Sequence, residues 1–302
     1  MIIVTWNSEQ DIESCLRALS AGVGADQYAC IRTKGEHTGS PLPIRQSEYE
    51  VILVDNHSQD ETVSLAMRCF PEVRIIKNFY NAGLSRAINQ GAGLARGATS
   101  NGKYILLLNP DVVVMEDTIG KLYQFMEQRK DVGACGPRFL WPTGKVQYSC
   151  REFPNFRNLF LEFTGIGRIK KFSMWRMGYF SHDSVREVEQ PMGSCLLVRK
   201  EVFDKVGKMN ENYPIFMNDV DLCFRIKEAG YKLYFLPDAN VIHYLGSSTC
   251  KVKRKMILEE HLSIYRYLKS HSRNHFLIGL YGFLLLTSAF YRILFSFFLT
   301  DI

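Results

Sequence analysis

No Cys-x-x-Cys pair and no zinc-like spacing occurs among the eight cysteines, which stand at 15, 30, 69, 135, 150, 195, 223 and 250. With mostly apolar neighbours they are expected to be free, buried thiols in a reducing compartment. The opening MIIVTWNSEQ has no basic leader, and its apolar run is too short for a signal peptide, so it is expected to start a strand at the first residue. With 46% hydrophobic and 23% charged residues, the chain is neither disordered nor fibrous. Its 302 residues exceed an ordinary domain of ~100 to 200, which one large α/β domain with an appendage would account for. Lys plus Arg number 37 against 31 Asp plus Glu, a net charge of +6. Part of that excess gathers late, at Lys251, Lys253, Arg254 and Lys255, then Arg266, Lys269 and Arg273. Such a cluster suits nucleic acid or anionic lipid, and the segment after it decides between them.

What is present is organised around Tyr104 to Val114, YILLLNPDVVV. So short an aliphatic run reads as a strand buried on both faces. Asp111 does not belong inside it, because burying an unpaired carboxylate costs several kcal/mol, roughly. The strand is therefore expected to leave the core at Asn109 and present Asp111 at its carboxyl end, where open α/β sheets bind ligands. The competing reading is a strand-ending Asn-Pro turn. Strands are also expected at Ile2 to Thr5, Glu50 to Val54 and Val73 to Lys77. Helices are expected near Glu9 to Leu19, Glu61 to Cys69, after Gly83 and over Asp117 to Gln128. Residues 21 to 47, rich in glycine and polar residues, read as a long surface loop. This alternation predicts a doubly wound parallel sheet. Arg86, on the first turn of the helix after Gly83, suits phosphate or plain solvation.

Five motifs follow in order: Ile3-Val4-Thr5-Trp6-Asn7, Val54-Asp55-Asn56-His57-Ser58-Gln59-Asp60, Asn81-Ala82-Gly83-Leu84, Leu108-Asn109-Pro110-Asp111 and Asn218-Asp219-Val220-Asp221-Leu222-Cys223-Phe224-Arg225. Together they resemble a family 2 glycosyltransferase of the GT-A fold, especially bacterial rhamnosyltransferase-like members, over about residues 1 to 250. The resemblance implies a Rossmann-like, mostly parallel sheet with an acceptor-side extension and C-terminal hydrophobic helices. It implies an inverting transfer from a UDP- or dTDP-sugar, with dTDP-rhamnose as candidate, to a glycan or polyprenyl-diphosphate-linked acceptor in cell-surface polysaccharide synthesis. Thr5, Trp6 and Asp55 would line the base pocket, with Asn7, Arg86, Asn109, Gly193 and Ser194 contacting the rest of the nucleotide-sugar. Asp55 and Asp60 can instead cap the following helix.

Breaking a bond to a leaving diphosphate calls for a divalent cation, and hard oxygen ligands suit Mg or Mn. The resemblance makes Asp111 the metal ligand, although Asn109 stands where the family's first acid often does. His243 is a second candidate, or a satisfied structural histidine. An acceptor hydroxyl needs a positioned base, worth roughly 100- to 10,000-fold. By resemblance that base is Asp219. Asp221 competes for the role, and both can simply stabilise the helix dipole. Asn218 occupies the place of the family's usual Glu. Alternatives are a sugar-1-phosphate nucleotidyltransferase, against which no Gly-rich loop bearing Arg or Lys follows the first strand, or a non-catalytic nucleotide-sugar-binding protein.

Organisation follows as a nucleotide-sugar half (1 to 130), an acceptor and catalytic half (131 to 250) and a basic, hydrophobic tail (251 to 302). Ser247, Ser248 and the basic run from Lys251 are further phosphate candidates. Leu258, Leu262, Tyr265 and Leu268 are expected to share one helical stripe. Phe276 to Tyr291 carries no charge, but its ~24 Å as a helix falls short of a ~30 Å hydrocarbon core. Continuing past a snorkelling Arg292 to Thr300 would reach across. The tail is thus expected to form an interfacial hairpin, a marginal span or a docked core helix. Basic residues beside it favour anionic membrane over nucleic acid and the cytoplasmic side of the inner membrane.

Overall fold

The structure is a computed structural model that describes residues 1–20, 49–95, 102–115, 117–164, 166–169, 172–244 and 252–294. The loop expected over 21 to 47 lies outside these, as do Cys30, Ser247, Ser248, Cys250, Lys251 and the tail beyond 294. In chain order the elements are β1 (Ile2–Thr5), α1 (Ile12–Ser20), β2 (Ile52–Asp55), α2 (Thr62–Cys69), β3 (Arg74–Lys77), α3 (Leu84–Leu94), β4 (Tyr104–Leu108), β5 (Val112–Val114) and α4 (Thr118–Gln128). Then come β6 (Val132–Leu140), β7 (Val146–Gln147), β8 (Cys150–Arg151), α5 (Phe156–Phe163), β9 (Arg186–Glu187), β10 (Gln190–Pro191), β11 (Cys195–Arg199) and α6 (Lys200–Lys205). The chain closes with α7 (Asn218–Glu228), β12 (Lys232–His243), α8 (Lys253–His271) and α9 (His275–Leu294).

The main sheet runs β3-β2-β1-β4-β11-β6-β12-β5. Its first four strands are parallel, as the alternating pattern predicts. Strand β11 then enters antiparallel to both β4 and β6, β12 lies parallel to β6, and β5 closes the edge antiparallel to β12. The two apolar segments flanking Asp111 therefore separate: β4 stays central while β5 crosses to the far edge. A strand's direction is set by its connections and not by its composition, so the insertion of β11 is not visible in the residues alone.

Successive strand residues face opposite layers, as pleating requires. Ile3, Leu53, Leu106, Leu108, Cys195 and Leu197 meet α1, α2 and α4, while Ile2, Ile52, Val54, Leu107, Leu196 and Val198 meet α3, α6 and α7. Strand β12 continues past Pro237 with a register shift between Leu236 and Asn240, where proline cannot donate to the ladder.

Helices α8 and α9 form an antiparallel hairpin. Gly282 lies so close to the Tyr265 ring that a Cβ there would sit 2.9 Å from it, and His261 Nε2 meets Ser288 Oγ at 3.1 Å. Arg292 pairs with Glu260 at 2.8 Å, so it is held against α8. The buried stripe of α8 is Ile257, His261, Ile264, Tyr267 and Leu268, and Leu258 points outward, which shifts the expected stripe by about one residue. Tyr281 of α9 donates to the Phe156 carbonyl and packs with Leu159, Tyr213 and Val220, docking the hairpin onto the domain. The opposite side of α9 exposes Phe276, Phe283, Leu286 and Phe290. Among the described residues, no helix is long and apolar enough to cross a membrane.

Candidate active site

Strands β1 and β2 end side by side, with Thr5 paired in register to Asp55. Asp55 is buried, and its Oδ1 accepts from Thr5 Oγ1 at 3.0 Å and from Ser58 Oγ, while Oδ2 accepts the Ser58 amide at 3.0 Å. Asn7, at φ 51°, donates its amide to Ser58 Oγ and accepts the Gln59 amide at 2.8 Å. Trp6, beside it, is half-buried, and its amide donates to Ser8 Oγ at 3.3 Å. Asp60, one residue before the N-cap Glu61 of α2, accepts from the Thr62 amide and hydroxyl and from the Glu9 amide.

Asn56, buried beside Asp55, ties three segments together. It donates to the Gly83 carbonyl and accepts from Asn78 Nδ2 and the Ala82 amide. Gly83, at φ +83°, lies against Pro214, where a Cβ would come within 2.9 Å. The Leu84 amide donates to the Pro214 carbonyl, and Ser85 Oγ donates to the Tyr213 carbonyl. The start of α3 is thereby fastened to the segment that leads into α7. Arg86 lies exposed on that first turn.

At the end of β4, the Asn109 amide donates to the Ser194 carbonyl at 2.8 Å, and Asn109 Nδ2 donates to Ser194 Oγ at 3.1 Å. Asp111 is 8% exposed, and its Oδ1 has no hydrogen-bond partner. His243 pairs in register with Val112, which brings its Nε2 to 3.5 Å from that same oxygen. Gln147 Oε1 lies 2.9 Å from His243 Nδ1, and when the ring is neutral with its proton there, the Nε2 lone pair faces Asp111. A carboxylate oxygen without a partner beside an imidazole nitrogen is a donor pair suited to a divalent cation, although among the described residues no group of three or more such side chains comes together. The Cys15 thiol donates to the Asn109 carbonyl at 3.8 Å, and its pKa is raised first by burial and next by Asp111, so it stays a neutral thiol there.

Asp219 stands on the first turn of α7, half-exposed. Its Oδ2 accepts from Gln190 Nε2 at 2.7 Å and from the Gly193 amide at 3.0 Å, and its Oδ1 accepts the Val220 amide at 2.9 Å. A Cβ on Gly193 would sit 2.6 Å from Asp219 Cβ, so glycine is what permits this approach. Asn218 accepts the Asp219 amide, and its own Nδ2 is buried without a partner. Asp221 faces inward, paired with Arg225 at 2.7 Å.

Gly193 and Ser194 thus join the two carboxylate clusters: one bonds Asp219 and the other bonds Asn109. Thr5 and Asp55 form a neighbouring group at the same sheet edge, whereas Asp221 is turned away into its ion pair. Asn56, Ser58, Gln147 and Gln190 carry much of this geometry; the first two stood in a sequence motif without a role of their own, and the two glutamines were not singled out by the sequence. Gln190 had one signal, since it precedes the Pro191-Met192-Gly193-Ser194 run.

A family model described as glycosyl transferase family 2 matches residues 1–207. The N-acetylglucosaminyl-diphospho-decaprenol L-rhamnosyltransferase of Mycobacterium tuberculosis is 31% identical over 228 residues, 72% of this chain and 74% of that protein. Rhamnosyltransferase WbbL of Escherichia coli is 29% identical, over 55% of this chain and 61% of its own length. The mannosyltransferase PcManGT from Pyrobaculum calidifontis, solved in complex with GDP-Man and Mn2+, shares the fold with a TM-score of 0.56 at 14% identity, covering 100% of this chain and 75% of that one.

Proposed function

The chain belongs to glycosyl transferase family 2, and from that premise we propose that it moves L-rhamnose from a dTDP- or UDP-sugar to a hydroxyl of a lipid-linked glycan, inverting the anomeric centre. The observation that carries this reading is the pair Gly193-Ser194, which joins the Asn109-Pro110-Asp111 turn to Asp219 across the central strands. These bonds support a reading with leaving-group stabilisation and base catalysis on either side of one short segment.

On the donor side, Asp55 Oδ2 accepts the Ser58 amide and, among the described residues, nothing else, which leaves a lone pair for the N3–H of a uracil or thymine ring. Trp6 and Asn7 border that pocket, and exposed Arg86 is available to a phosphate. Asp111 and His243 would hold Mg or Mn, with Mn favoured by the imidazole. Such a cation, when bound, neutralises charge growing on the diphosphate. The hydroxyl nucleophile comes from the other side, where Gln190, Gly193 and Val220 fix the Asp219 carboxylate in one orientation to take its proton.

Relatives that act on lipid-linked substrates, together with the tail, support a peripheral site on the cytoplasmic membrane face. The exposed phenylalanines of α9, with Lys253, Arg254, Lys255 and Lys269 exposed on α8, would rest on anionic lipid. Melting the protein with UDP-, dTDP- and GDP-sugars, with and without Mn, and then assaying transfer to a polyprenyl-diphospho-N-acetylglucosamine tests the whole reading. Stabilisation by dTDP-rhamnose with Mn and transfer of rhamnose are expected. Stabilisation by GDP-sugars alone would overturn the donor assignment.

A further inference from the structure

Arg151 of β8 stands opposite Gln190 of β10 in antiparallel register, and Gln190 holds Asp219. Burial lowers the Arg151 pKa first, the neighbouring Arg176 lowers it further, and Asp219, Glu162 and Glu260 pull the other way. Each of those acids is already engaged. Glu162 is held by Arg176, Glu260 by Arg292, and Asp219 by Gln190 and two backbone amides. Among the described residues no carboxylate or carbonyl accepts from the Arg151 side chain, whose recorded contact is the Trp175 ring at 5.5 Å. Trp175 is fixed by the Glu152 amide on its carbonyl, and its indole Nε1 is buried without an acceptor.

A half-buried guanidinium over the Trp175 ring and a buried indole N–H, with no protein acceptor for either among the described residues, form a pair of donors that suits an anion. Its position narrows the choice of anion. Trp175 packs on the cluster that joins Met217 and Val220, at the start of α7, to Tyr267 and Tyr281 of the hairpin. The donors therefore lie between Asp219 and the helix pair whose outer face exposes Phe276, Phe283 and Phe290.

We propose that Arg151, stacked on Trp175, is the subsite for the phosphoryl group that links the acceptor sugar to its lipid, with that sugar at Asp219 and the lipid along α9. This rests on the glycosyltransferase reading above. A phosphate anchor on the acceptor also explains why the Asp219 side can lack the acid that Asn218 replaces.

The test compares the full chain with Arg151→Gln, Arg151→Lys and Trp175→Phe at saturating donor. The acceptors are a short polyprenyl-diphospho-N-acetylglucosamine and uncharged octyl N-acetylglucosaminide, with inorganic pyrophosphate as competitor. The wild type should prefer the diphosphate acceptor, and pyrophosphate should compete with it. Arg151→Gln should shrink that preference by about 10-fold or more, through KM and not kcat, with Arg151→Lys recovering part of it. An unchanged preference in Arg151→Gln, or no competition by pyrophosphate, overturns the subsite. Equal wild-type transfer to both acceptors also overturns it while leaving the glycosyltransferase reading intact. If no acceptor receives sugar while donor still binds, both fall. Should Arg151→Gln fail to fold, Trp175→Phe and the pyrophosphate competition decide in the same way.

Discussion

At the ends of β1 and β2, Thr5, Asp55, Asn56 and Ser58 bond one another and the backbone around them. Around Asp219, by contrast, Gln190 Oε1, Asn218 Nδ2 and Trp175 Nε1 are buried with no partner. A buried polar atom left unpaired costs about 1 to 3 kcal/mol, so the β1–β2 end, proposed as the donor side, is built to stand by itself, while the surroundings of Asp219, proposed as the acceptor side, carry unmet hydrogen bonds. A substrate bound there can offset that cost. The cluster around Asp111 has unmet groups of its own, Asp111 Oδ1, where a cation would fit, and Gln147 Nε2 beside His243. If this contrast is right, changes on the two sides should register in different measurements.

The largest effect is expected from Asp219→Asn. Transfer should fall roughly 100- to 10,000-fold in kcat while nucleotide binding is retained, as calorimetry with the nucleotide diphosphate would show. Full transfer by this variant would remove the base from the acceptor side. Gly193→Ala comes next, because its Cβ would press to 2.6 Å from Asp219 Cβ. A displacement near 1 Å costs about 100-fold in kcat, with overpacking adding about 1 to 3 kcal/mol of destabilisation. Steady-state kinetics showing a changed KM for donor with kcat intact would contradict the bridging role of residue 193.

Asp55→Asn probes the other side. Its amide keeps an oxygen for the Ser58 amide but makes the Thr5 and Ser58 hydroxyls turn from donating to accepting and removes a charge, and should cost about 1 to 3 kcal/mol of stability together with nucleotide affinity. Denaturant melts should therefore move more for Asp55→Asn than for Asp219→Asn, whose carboxylate is half-exposed. The reverse ranking would break the comparison.

How far the residues announced this contrast depends on the kind of signal. Carboxylates that interrupt apolar runs stand out, which is why Asp55, Asp111 and Asp219 could be placed at element ends. Amides do not stand out: Asn56, Gln147 and Gln190 look like any surface polar residue until the sheet brings them to their partners. The residues of β11, Cys195-Leu196-Leu197-Val198-Arg199, are mostly apolar, but the strand's antiparallel entry, which sets Ser194 beside Asn109, depends on tertiary connection. The α8 stripe was misphased because its buried face includes polar His261 and Ser263, satisfied by Ile257 O and Ser288 and by Glu259. An apolar count alone points elsewhere.

The smallest effect expected is on pH, and it too should fall on the acceptor side. His182 is fully buried, its Nδ1 meets the Phe180 carbonyl at 2.9 Å, and its Nε2 accepts the Cys150 amide at 3.3 Å, next to Arg151 on β8. Burial is the main cause that lowers its pKa below 6.5; Arg186 adds to this, while the Phe180 carbonyl and Asp183 oppose it. The unfolded chain therefore takes up this proton first, and stability declines as pH falls below about 6.5. A protonated Nε2 can no longer accept the Cys150 amide, so β8 should loosen while the Asn56 network does not. Hydrogen exchange at about pH 7.5 and about pH 5.5 should show protection lost at the Cys150 amide and kept at the Asn56 amide. His182→Asn should flatten the acid slope of the melting temperature, leaving a remainder to His261, whose pKa burial also lowers. Equal slopes in wild type and variant, or equal loss of protection at both amides, would show that the two sides respond to acid as one.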